Sequence, residues 1–277
     1  MLQKPTPILV AERFPALLDA LLDVLTSLSS VDWDRPTTVA GWRVKDVALH
    51  LLGDEIGFVS GKRDGFQKGS APVNTWPELV ALINRRNAHW VEATQRISPR
   101  MLSDLLRWSG DQFNAYVRTL DVYALGGAVS WAGFQPAPVW LDLAREYTER
   151  WHHQQHIREA VDWPGGMEAD KLGPVLATFV YALPQTYRQA SAAPGSCVTL
   201  TISGPAGGAW SVMHEAQGWQ LYTGRPAAPL AEVILPQDTA WRLFTKGISK
   251  TEARHHANLL GDSQLAEQML ETVSIIA

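Results

Sequence analysis

The stretch Glu149-Arg150-Trp151-His152-His153-Gln154-Gln155-His156 decides how this chain is read. It places three of the eight histidines within five residues, one turn after a glutamate. At about 100° per residue in an α-helix, Glu149, His153 and His156 fall on one face. A carboxylate and imidazoles on one helical face are donors that a divalent cation such as zinc takes. His152 is offset by about 100° from His153 and is the poorer candidate for the same ion. The competing reading is a solvated polar face, or a histidine cluster turned toward a partner.

A metal held by a helical bundle draws its ligands from more than one helix. The best second donor is His50, in Val47-Ala48-Leu49-His50-Leu51-Leu52. An imidazole in so apolar a segment needs a partner to offset its burial. A core histidine bonded to a carbonyl is the alternative there. His50, Glu149 and His153 together would leave a coordination position open, as catalytic zinc sites do. His156 is then a fourth ligand, a group that orients a ligand, or a proton shuttle. His255-His256 reads as a surface pair, and His89 and His214 are isolated. Arg85 and Arg86 offer the planar fork that suits a carboxylate substrate, against the alternative of a solvated basic face. Asp46 and Glu55 read as surface or capping charges, with a role beside the metal as the alternative for Glu55.

Working outward, the first two thirds of the chain have helical periodicity. Phe14, Leu17, Leu18, Leu21, Leu25 and Leu28 make an amphipathic stripe within residues 7–29. Val44, Val47, Leu51 and Ile56 repeat it over 44–58. Thr75-Trp76-Pro77-Glu78 is a capping box that opens a helix to about residue 97, and Ser98-Pro99 opens another to about 120. Residues 122–137, with three glycines and Pro136, read as a loop. Pro138 opens the histidine-bearing helix, which Pro164-Gly165-Gly166 stops. A further helix covers about 168–190. The last third alternates instead. Ser196–Ile202 reads as a strand, Trp210–Glu215 and Trp219–Thr223 as a hairpin around Gln217-Gly218, and Ala231–Leu235 as another strand. Helices at about 238–247 and 262–275 follow. The pattern predicts a helical bundle over residues 1–192 and a small α+β domain over 193–277.

Composition narrows the function. The 277 residues are 46% hydrophobic, enough for a real core. A net charge of −4 without a basic patch gives nucleic acid no electrostatic footing. No window approaches 18 apolar residues, and the N-terminus lacks a signal-peptide pattern, so neither a membrane nor secretion is expected. The lone cysteine, Cys197, excludes an intrachain disulfide and fits a reducing cytoplasm.

Two segments resemble a known family. Thr38-Val39-Ala40-Gly41-Trp42-Arg43-Val44-Lys45-Asp46-Val47-Ala48-Leu49-His50 is similar to the segment of mycothiol-dependent maleylpyruvate isomerases that carries their first zinc histidine. Glu149 to Arg158 resembles the segment that carries their zinc glutamate and second histidine. The resemblance implies an α+β chain: a DinB-like four-helix bundle with extra helices, then a small sterol-carrier-like domain. It implies zinc, or another divalent metal, on His50, Glu149 and His153. It further implies a low-molecular-weight thiol, such as mycothiol or bacillithiol, held as thiolate. On this reading Trp42 and Trp151 line the cofactor cavity, and His156 and Arg86 serve the reaction. That reaction would be isomerisation or thiol transfer on a small substrate, carboxylates among the candidates, by a cytoplasmic monomer or homodimer. The chain departs from the isomerases at His156, where they usually carry aspartate. Two other readings remain: metal-assisted hydrolysis by zinc-bound water, and a non-catalytic metal- or ligand-binding protein.

Overall fold

A computed structural model describes residues 1–66 and 75–275. Helices dominate up to residue 187, and a five-stranded mixed sheet with further helices follows, so the class is α+β. The residues group into two compact units. One comprises Leu9–Asp121 with Glu146–Gly166; the other comprises Met1–Ile8, Val122–Arg145 and the described chain from Met167 to residue 275.

The first unit is the helical one. It contains α1 (Phe14–Ser27), α2 (Val44–Phe58), α3 (Trp76–Thr94), α4 (Pro99–Val117) and most of α5 (Val139–Ala160). The amphipathic stripe starts at residue 7, yet α1 starts at Phe14 after a 3-10 turn over Ala11–Arg13. Pro15 explains the difference: it has no N–H to give the Ala11 carbonyl, so it sits in the first turn, where that donor is not needed. Helix α2 has the expected bounds. Its start is fixed by Asp46, whose carboxylate accepts the Arg43 N–H at 2.9 Å. Thr75 and Glu78 form the predicted capping box of α3, and the Ser98 hydroxyl caps α4. Leu21 and Leu25 of α1, Val47 and Leu51 of α2, and Leu102 and Leu106 of α4 form the apolar core. Gly53 admits Trp90 of α3, whose indole donates to the Leu49 carbonyl at 2.7 Å. A Cβ at Gly53 would lie 2.6 Å from that ring.

Helix α5 does not follow the amphipathic rule. Its run through this unit is buried on nearly every side although rich in charged and amide side chains. Such groups tolerate burial only when paired. Gln154 accordingly donates to the Leu17 carbonyl at 3.1 Å. Arg158 donates to the carbonyls of Pro164 and Ala20 at 2.9 and 3.0 Å. The bonds to Leu17 and Ala20 tie α5 to α1 and add to the apolar contact of Tyr147 with Phe14.

The second unit holds α6 (Ala169–Phe179) and α7 (Leu183–Tyr187), where one helix over 168–190 is expected. Pro184 cannot donate to the Val180 carbonyl, and the chain tightens into a 3-10 turn over Val180–Ala182. The sheet comprises β1 (Cys197–Ser203), β2 (Gly208–Glu215), β3 (Gly218–Thr223), β4 (Ala231–Pro236) and β5 (Asn258–Gly261), in the order β3-β2-β1-β4-β5. The predicted hairpin is β2–β3, while β1 and β4 are parallel. Three further helices are α8 (Gln237–Phe244), α9 (Lys250–His256) and α10 (Ser263–Met269); α8 and α10 pack on β1 and β4. The periodicity had not shown α9 or β5, each too short for a periodic signal, and α10 ends earlier than expected. The Ser274 N–H turns instead to the Phe244 carbonyl at 2.8 Å. No described helix is long and apolar enough to cross a membrane.

Candidate metal centre

Helices α2 and α5 bring together the three residues that the histidine run and His50 suggested. His50 Nε2 lies 3.1 Å from His153 Nε2 and 3.4 Å from Glu149 Oε1, and His153 Nε2 lies 3.0 Å from that same oxygen. Among the described residues, these three form the group whose donor atoms converge closely enough for one metal ion. The donor chemistry fits a cation. Two imidazole nitrogens and a carboxylate oxygen turn lone pairs toward one point, and a single shared proton cannot satisfy all three edges. Zinc bonds of about 2.0–2.1 Å in a tetrahedron give donor–donor edges of about 3.3 Å, close to the triangle seen here. His50 is 5% exposed at its side chain, His153 12% and Glu149 29%, so the centre is closed at the imidazoles and reached from the carboxylate side.

Asp54, one turn after His50, is a further carboxylate at the centre. Its Oδ2 lies 3.2 Å from His50 Nε2, the same ring nitrogen that faces Glu149 and His153. The i, i+4 spacing from His50 was the available signal for it. Burial, opposed by His50 and reinforced by Glu149 and Glu146, pushes the Asp54 carboxyl up to about 6. Glu149 goes the other way. Burial opposes its charge, but the adjacent His153 and His50, in their charged forms, hold its carboxyl well below the usual range. Burial also disfavours charge on His50, yet Asp54 and Glu149 prevail and raise its pKa. His153 is lowered by burial and by His50.

His156 approaches the centre from behind. Its Nδ1 is 3.3 Å from His153 Nδ1, on the far side of the ring from the donor triangle. The His152 ring lies 4.2 Å from that of His156. Burial, then the neighbouring His153, pushes His152 down to about 3, and burial with His152 and His153 also lowers His156. Trp42 is half-buried, its ring centroid 5.2 Å from that of His50. Trp151 is fully buried and donates its indole N–H to the Gly166 carbonyl at 2.7 Å. Arg86 is exposed on α3 and pairs with none of these groups among the described residues.

Glu55, read as a surface or capping charge with a role beside the metal as the alternative, is buried, because its partners are inside. Its Oε2 accepts the Ser109 hydroxyl at 2.5 Å, and its Oε1 is 3.6 Å from Arg150 Nε. Arg150 Nη1 donates to Glu146 Oε2 at 2.6 Å, and the guanidinium lies 4.0 Å over the Phe113 ring. This network locks α2, α4 and α5 together next to the candidate centre, since Glu55 follows Asp54 and Arg150 follows Glu149. Asp46 is a cap, as read, and also accepts Gln95 Nε2 at 2.6 Å.

The family model of the mycothiol maleylpyruvate isomerase N-terminal domain matches residues 14–158, a span that contains α1 to α4, nearly all of α5 and all three candidate ligands. No curated protein matches the chain. Two solved structures align with it. A crystal structure of a mycothiol-dependent maleylpyruvate isomerase carrying a histidine-to-alanine mutation has 14% identity and a TM-score of 0.48, over 92% of this chain and 95% of that one. A crystal structure of the mycothiol-dependent maleylpyruvate isomerase has 14% identity and a TM-score of 0.47, over 86% and 91%.

Proposed function

This chain belongs to the mycothiol maleylpyruvate isomerase N-terminal domain family, and we propose from that premise that it is a metal-dependent enzyme activating a low-molecular-weight thiol. The thiol, mycothiol or a relative, would be used for isomerisation of a small substrate or for transfer onto it. The observation that carries this reading is the convergence of His50, Glu149 and His153 from two helices on one point. A divalent cation there supplies charge that stabilises a thiolate at neutral pH. The protein's own groups then have separable tasks. Glu149 balances the cation's charge, and the buried imidazoles keep bulk water from the closed side. Asp54 Oδ2, 3.2 Å from His50 Nε2, is a carboxylate oxygen placed to accept the proton that the thiol would lose. Trp42, tilted at 57° to the His50 ring, forms an apolar wall for the bound thiol.

The test begins with metal content. Purified protein should hold one equivalent of zinc or a similar divalent ion, and His50→Ala and His153→Ala should each abolish it. Full retention in both would remove the ligand assignment. The metal-loaded protein is then assayed against a panel of thiols with an electrophilic acceptor or a cis-configured unsaturated carboxylate. Turnover that needs metal but no thiol would replace this reading with metal-assisted hydrolysis.

A further inference from the structure

We propose that His156 is the hydrogen-bond acceptor that fixes the tautomer of His153 and so sets how tightly the centre holds its cation. This rests on the metal reading above and adds a positioning residue to it. The two nitrogens of the His153 ring face different neighbours. Nε2 faces His50 and Glu149, at 3.1 and 3.0 Å. Nδ1 faces only one ring nitrogen among the contacts described, His156 Nδ1 at 3.3 Å. A nitrogen that ligates a cation must offer its lone pair, so the proton of a neutral His153 belongs on Nδ1. That N–H then donates to His156 Nδ1, which must be bare, and His156 carries its own proton on Nε2. Two Nδ1–H groups facing each other would leave no bond and would turn the His153 ring out of line.

The surroundings hold His156 in the form this requires. His156 is buried at 8% exposure, and the His152 ring, itself buried, packs edge-on against it at 4.2 Å. A neutral imidazole in that place accepts a hydrogen bond without adding negative charge behind the ligand. Groups that bond the far nitrogen of a ligating histidine orient the ring and raise its basicity. His156 is therefore a support to His153 rather than a ligand: its near nitrogen points at the back of the His153 ring, away from the donor triangle.

Two variants separate the acceptor from the volume it fills. His156→Leu keeps an apolar body and removes the acceptor; His156→Asn places an amide oxygen near the original Nδ1 position. Zinc affinity is measured by competition with a chromophoric chelator, with circular dichroism confirming the fold of each variant. His156→Leu should bind zinc about 10–100-fold more weakly than the parent, and His156→Asn should recover most of that loss. Imidazole nitrogen-15 spectra of the zinc-loaded parent give an independent readout: His156 should be protonated at Nε2 alone. Parent protein that takes up no zinc overturns the metal reading itself, and the tuning with it. Parent protein that binds zinc while His156→Leu binds equally well, or a His156 protonated at Nδ1, overturns the role of His156 and leaves the metal reading standing.

Discussion

Replacing Arg150 by methionine should destabilise the helical unit by about 3–5 kcal/mol, the range for breaking a buried ion pair from one side. The structure explains why the loss belongs at this scale. Arg150 is buried, donates to Glu146 at 2.6 Å, and faces Glu55 at 3.6 Å. Its removal takes the guanidinium away from two buried carboxylates, while the methionine retains part of the packing on Phe113. Because the chain forms two compact units, a single unfolding midpoint is a poor measure. Hydrogen exchange read by mass spectrometry on peptides from α2 and α5 is better suited. A loss of 3–5 kcal/mol corresponds to about two to three and a half decades of faster exchange where closing outpaces exchange and the rate reports the opening equilibrium. The effect should also depend on pH. Burial already raises the Glu55 carboxyl above its ordinary value, with Arg150 opposing. Without Arg150 the folded-state pKa rises further, so the folded state holds a proton that the unfolded state releases. Stability of the variant is then highest at low pH and falls as pH rises through that raised value. The deficit should be smaller at pH 5 than at pH 8, and adding Glu55→Gln should restore part of it. Exchange within tenfold of the parent at both pH values would refute the assignment of Arg150 as the cation that holds α2, α4 and α5 together.

Further predictions concern other parts of the chain. Asp46 has a lowered pKa: burial opposes its charge, but bonds from Arg43 and Gln95 prevail. Its stabilisation is therefore present above the ordinary carboxylate value and lost as pH falls through the lowered one. Asp46→Asn should cost about 1 kcal/mol near neutrality, a gap that closes in melting curves taken below about pH 4; a gap independent of pH would contradict it. Gly261 has φ +77°, and a Cβ there would lie 2.3 Å from the Leu230 carbonyl oxygen. Gly261→Ala should cost about 1–3 kcal/mol and loosen β5 from β4, seen as faster exchange at Asn258–Gly261. Zinc at a hundredfold excess over its dissociation constant should stabilise the α2–α5 region by about 2.7 kcal/mol. The His50→Ala variant should show no such gain, and chelation should reverse it in the parent.

Much of this molecule was legible in local pattern. The α2 bounds, the α3 and α4 caps and the β2–β3 hairpin follow from periodicity and from capping and turn residues, all of them short-range effects. Two of the misplaced boundaries trace to proline: Pro15 delays α1, and Pro184 divides the expected helix after residue 168. Strand β5 escaped because four largely exposed residues have no alternation to read, and only pairing with β4 makes them a strand.

The centre divides in the same way. Spacing alone puts Glu149, His153 and His156 on one face of α5, and the apolar setting of His50 marks it as a histidine that needs a partner. What spacing does not contain is the direction from which each neighbour arrives. Only the packing of α2 on α5 makes His50 Nε2 meet His153 Nε2. Only the rotation of the rings sets His156 against the opposite nitrogen of His153 and brings Asp54 to the edge of the donor set. The burial of Glu55, Arg150 and Glu146 is also a tertiary outcome. A polar helix reads as solvent-exposed until other helices supply partners for each charge, and pairing across helices is the physical condition under which α5 enters the interior.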